Sequence, residues 1–97
     1  MNEIVLTDTA QEQLAALEND RSRGNIEKAV KKTLALMQYN LRHPSLNTHE
    51  FTSLKGPHGE KVFEAYAQHN TPGAYRIFWY YGPRKNQISI AAITAHP

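Results

Sequence analysis

The sequence predicts an α+β fold, with an N-terminal strand, a two-helix hairpin and then a three-stranded antiparallel sheet (β-α-α-β-β-β). Three observations carry this. Apolar residues recur at spacings of three and four through residues 10–41, as on one face of a helix. Residues 60–95 fall into three β-rich runs, "EKVFEAYA", "AYRIFWYY" and "QISIAAITA". Those runs are separated only by "QHNTPG" and "GPRKN", too short for a parallel crossover, so neighbouring strands run antiparallel.

Taken in order, "EIVLT" (Glu3 to Thr7) is a short β-branched strand. Thr9 followed three residues on by Glu12 forms a capping box, and Ala10, Leu14 and Leu17 share one helical face behind it. "NDRSRGN" interrupts that pattern. Ile26, Ala29, Val30, Thr33, Leu34, Met37 and Leu41 then define a longer helix, which "RHPSLN" ends because Pro44 pushes His43 out of the α region. From Asn47 to Gly59 the chain reads as irregular, with Gly56, Pro57 and Gly59 as breakers. In the middle strand, alternation sets Tyr75, Ile77, Trp79 and Tyr81 toward the helices and Arg76, Phe78 and Tyr80 toward an open face. Both faces of the last strand are apolar, and pattern alone does not orient it.

At 97 residues the chain is sized for one domain spanning 1–97, with 40% apolar and 21% charged residues placing it among ordinary globular chains rather than disordered ones. With no cysteine there is neither a disulfide framework nor a thiolate metal site, consistent with a reducing compartment. No stretch reads as a signal peptide or a membrane span, so the expectation is a cytoplasmic protein with no membrane association. Residues 51–97 carry a net charge of +3 against −1 for residues 1–50, which makes a polyanionic partner plausible.

Candidate functional residues are weighed against plainer roles. An exposed strand arginine such as Arg76 commonly lies over a neighbouring aromatic ring, and a histidine near a chain end, such as His96, is commonly just solvated. Lys55 sits beside breakers as an ordinary loop lysine would, and Lys28, Lys31 and Lys32 read as the wet face of a helix. His43 and His49 match no metal-ligand spacing and read as loop residues. Trp79 and Tyr81 read as core, whereas Tyr66 and Tyr80 are placed to stack on bases.

The order "SLKG", "AYRIFWYY", "ISIAAITAHP" behind a helical hairpin resembles the RelE/ParE superfamily of type II toxins. The closest correspondence is between "IAAITAHP" and the C-terminal segment of the YoeB-like or RelE-like mRNA interferases. The resemblance implies a RelE-like fold and a toxin that cuts mRNA on the ribosome, with a cognate antitoxin as partner and either a homodimer or a toxin–antitoxin hetero-oligomer as the assembly. It matches Arg76 to the strand arginine at the scissile phosphate, His96 to the penultimate histidine and Lys55 to the loop lysine; Lys61, Arg84, Lys85, Tyr66 and Tyr80 are further RNA-binding candidates. The implied reaction uses the ribose 2′-hydroxyl as nucleophile and needs proton transfer and a cation at the phosphorane, but no metal or other cofactor. Pro97 stands where the family has a tyrosine, and Thr52 where YoeB-like members place a glutamate. Other members poison DNA gyrase or have lost toxicity, so a non-catalytic, partner-binding role is the alternative.

Overall fold

The computed structural model describes residues 1–96; Pro97, the position compared with the family's tyrosine, lies outside the described residues. Strand β1 (Glu3–Leu6) leads into helix α1 (Asp8–Glu18). The cap is Thr7, not Thr9. Its hydroxyl accepts from the Ala10 N–H at 3.2 Å and donates to the Ile90 carbonyl at 2.8 Å, so one side chain both starts the helix and ties it to the last strand. A single 3₁₀ turn, Arg21–Arg23, follows. There the Ser22 hydroxyl and then the Ser22 N–H bond Asp20 and hold its carboxyl below the usual range.

Helix α2 (Gly24–Tyr39) buries Val30, Thr33 and Met37 along the stripe its periodicity predicts. Lys31 joins the two helices, its ammonium 2.8 Å from Glu18 and 2.9 Å from Glu27, and these hydrogen-bonded carboxylates hold it above the ordinary lysine range. This lysine is engaged within the protein.

The sheet has five strands rather than three, in the order β1-β5-β4-β3-β2. β3 (Lys61–Tyr66), β4 (Tyr75–Tyr81) and β5 (Gln87–Ala95) form the antiparallel centre expected from the sequence. β1 adds to β5 in parallel. Residues 49–55, expected to be irregular, form β2 (His49–Lys55), antiparallel to β3 at the opposite edge. Most of its side chains are exposed and its register slips between Glu50 and Lys55. An edge strand with little to bury carries no hydrophobic alternation, which is why pattern missed it.

The main core lies between the helices and one sheet face: Ala10, Leu17, Val30, Met37 and Leu46 meet Ala65, Ile77, Trp79, Ile88, Ile90 and Ile93. A smaller cluster, Val62, Phe78 and Tyr80 with Phe51, Ala91 and Ala92 against it, occupies the other face. The alternation in β4 is as expected, but Tyr81, expected in the core, is 58% exposed at the strand's end, and the face expected to be open is covered, with Arg76, Phe78 and Tyr80 buried. β5 acquires its orientation from a bulge: Trp79 pairs with Ile90 but Phe78 with Ala92, so Ala91 is the extra residue and Ile88, Ile90 and Ile93 all reach one core. That irregularity is what made its two faces look equally apolar.

The β2–β3 turn is closed by Glu60, whose Oε1 accepts from the His58 N–H at 2.7 Å while its carbonyl accepts from the Gly56 N–H at 2.8 Å. Hydrogen bonds from its own N–H and then from His58 N–H hold the Glu60 carboxyl below its usual range. Because the folded carboxyl titrates below its unfolded value, its contribution is present above the usual glutamate range and lost as pH falls through the depressed folded value. Thermal unfolding followed from neutral pH into that acid range should therefore show a smaller drop in Tm for Glu60→Gln than for the wild type. An equal drop would exclude Glu60 as a source of acid lability.

Candidate active site

Period-two alternation sets a group of polar side chains on the sheet face away from the helices, at the end where β3 stops and β4 begins. His49 is paired with Glu64, and Tyr66 with Arg76, directly across neighbouring strands; Arg76 in turn faces Thr94, two residues before His96. Glu64 is diagonal to Arg76, since its own partner is Phe78. The sheet thus brings residues from four segments to one spot.

Glu64 is the centre of the group and is 1% exposed. A buried carboxylate is stable only when paired. His49 Nε2 lies 2.7 Å from Oε1, His96 Nδ1 lies 2.8 Å from Oε2, and Arg76 Nε is 3.6 Å from the same Oε2. The Arg76 guanidinium donates through Nη1 to the Gln68 carbonyl at 2.8 Å and lies 3.6 Å from the centre of the Tyr66 ring. Its Nε is buried without a hydrogen-bond partner among the described residues. The His49 and His69 rings flank Tyr66 at 5.9 and 5.4 Å. A fixed cation, an imidazole with a carboxylate behind it and an aromatic ring are together a set that can bind a phosphate and move a proton.

Of the residues singled out from sequence, Arg76, His96 and Tyr66 meet here. Arg76 is on the expected face but is 8% exposed, tucked beside Glu64 and Tyr66 rather than standing open. One face of the Tyr66 ring is occupied by that guanidinium. Tyr80, expected to stack on bases, is 8% exposed and packs with Val62 and Phe78. Its ring serves the core. Lys55 stands opposite Lys61 across β2 and β3, with its ammonium 3.8 Å from Glu50. Arg84 and Lys85 are exposed in the β4–β5 hairpin. From Arg76 to Tyr81 is five residues of strand, about 17 Å, so these four cations lie toward the other end of the sheet.

Sequence reasoning missed Glu64 and His49. A lone acid inside the apolar run "VFEAY" was the available signal, since glutamate is almost never buried unless paired. His49 carried none without β2. On the helix side, at the end away from Arg76, a cleft of about 780 Å³ is walled by Tyr39, Arg42, Phe63, Trp79 and Tyr81 among others. Among the described residues no helix is long and apolar enough to cross a membrane.

No family model matches the sequence, and no curated protein matches it. Solved structures do match its fold. A YoeB/ParE toxin from Agrobacterium tumefaciens superposes with a TM-score of 0.69 at 8% identity, covering 98% of this chain and 99% of that one. A YoeB dimer from Staphylococcus aureus matches with a TM-score of 0.62 at 16% identity, covering 99% and 98%. A heterotetrameric YoeB-YefM toxin–antitoxin complex from the same organism matches at 0.65 and 16%, covering 100% and 99%. The architecture of this chain is that of the YoeB/ParE-type toxins, as the sequence resemblance implied.

Proposed function

We propose that this chain, folded as the YoeB/ParE-type toxins are, is the toxin of a type II toxin–antitoxin pair and a metal-independent endoribonuclease that cuts mRNA on the ribosome in the cytoplasm. The observation that carries the reading is the meeting of Arg76 and His96 at Glu64. Neither residue adjoins the other in sequence, and neither is needed there for burial of apolar surface.

In this reading the ribose O2′ attacks the adjacent phosphorus while its proton leaves to a base, and the P–O5′ bond breaks as O5′ gains a proton. The products are a 2′,3′-cyclic phosphate and a 5′-hydroxyl. Arg76 faces the phosphorane, where a permanently charged, planar group offers donors to its oxygens. His96 is the proton-transfer group. Lys55, Lys61, Arg84 and Lys85 hold the RNA backbone farther along the sheet through charge. The partner is an antitoxin, as YefM is for the YoeB of the matched complex, and self-association is a further possibility represented by the YoeB dimer.

Induced expression in a bacterial host with primer extension on a reporter mRNA tests this. The wild type should arrest growth and produce new cuts within translated regions, and His96→Ala should lower cleavage by about 10²- to 10⁴-fold. Arrest without cuts would instead indicate a protein target such as gyrase. No arrest at all would indicate a non-toxic, partner-binding member.

A further inference from the structure

Glu64 offers two oxygens to two imidazoles, and an inventory of hydrogens distinguishes what each ring can do. An ionised carboxylate only accepts. Each nitrogen facing it must therefore carry a hydrogen. His49 Nε2 faces Oε1 at 2.7 Å and its Nδ1 lies 2.8 Å from the Asn47 carbonyl oxygen, a second acceptor. With Glu64 ionised, Nε2 carries a hydrogen, and Nδ1 faces a carbonyl oxygen rather than an open position. His96 differs. Its Nδ1 is committed to Oε2 at 2.8 Å, whereas its Nε2 has no partner among the described residues, and the side chain is half exposed.

From this we infer that Glu64 is the positioning residue of the site: it fixes His96 in the Nδ1–H tautomer, so that Nε2 is the atom presented to the substrate, while His49 serves as a second donor that holds the carboxylate in place. The inference rests on the nuclease reading for its catalytic meaning, but the tautomer itself does not. The groups facing the Glu64 carboxylate are His49 from β2, Arg76 from β4 and His96 beyond β5. Each is a donor or a cation. When Nε2 takes up a proton the ring becomes cationic against a carboxylate already in place, and when it gives one up the ring returns to the same tautomer. A carboxylate bonded to the far nitrogen of an imidazole selects tautomer and orientation in this way wherever it occurs.

Two measurements test it. In ¹⁵N-histidine-labelled wild-type protein, the neutral His96 ring should show a protonated Nδ1 and an unprotonated Nε2, the tautomer less favoured by free histidine; Nε2–H would overturn the inference, and this needs no variant to fold. In ribosome-dependent cleavage, Glu64→Gln replaces one acceptor with an amide that donates. It should lower the maximal rate by about 10²- to 10⁴-fold, leave the ribosome concentration for half-maximal rate unchanged, displace the pH profile and abolish the single tautomer. Unchanged rate and profile in folded Glu64→Gln would overturn the inference even if the protein cuts RNA. A wild type that cuts no RNA but shows the Nδ1–H tautomer would overturn the nuclease reading while supporting the role of Glu64.

Discussion

If the chain is the nuclease proposed above, Arg76→Ala should end growth arrest and lower mRNA cleavage by about 10²- to 10³-fold, the loss typical of removing one preorganised donor from a developing oxyanion. The geometry explains why the loss is large. Arg76 is held from three sides, by the Gln68 carbonyl, the Tyr66 ring and the Glu64 carboxylate. Its charge is therefore fixed in place before any substrate arrives. A lysine keeps the charge but not the plane, and its single ammonium cannot reproduce the carbonyl contact, the ring contact and a phosphate contact together. Arg76→Lys should thus recover little of the activity. Circular dichroism and binding of a co-expressed antitoxin should show both variants folded. If both still arrest growth, Arg76 has a structural role only, and the cation-π contact with Tyr66 is then its full purpose.

The residues explain why parts of this were legible and others not. The helices and the three central strands announce themselves because each buries one face, which imposes a period on apolar residues. β2 buries almost nothing and so prints no period; with it went His49, which reaches Glu64 only because β2 pairs with β3. Arg76 and His96 were found through short motifs whose order resembles a known family, and the sheet brings them together through strands that the sequence shows. Glu64 was legible in principle as an acid at a buried strand position. What pattern could not supply was its partners, since two of the three lie outside the hairpin that contains it. Lys61, Arg84 and Lys85 were selected for charge alone, and charge carries no information about which end of a strand it occupies.

Trp79→Ala should be the most destabilising single change in the core, costing about 3–5 kcal/mol where domains of this size have about 5–15 kcal/mol in all. Trp79 is 1% exposed and stacks obliquely on Phe63 at 5.0 Å and edge-on to Tyr81 at 4.9 Å. It also walls the 780 Å³ cleft, so truncation would extend that open space into the core. Trp79→Phe should cost about half of that or less. The reason is specific to this site: the indole Nε1 is buried with no hydrogen-bond partner among the described residues, so phenylalanine removes an unsatisfied donor, which itself costs about 1–3 kcal/mol when buried. Lost volume is then partly offset. Urea unfolding followed by far-ultraviolet circular dichroism, chosen because both variants lack the chain's single tryptophan, gives the two values. Equal costs for alanine and phenylalanine would mean that the indole is held by a hydrogen bond after all, and that ring volume is not what Trp79 contributes.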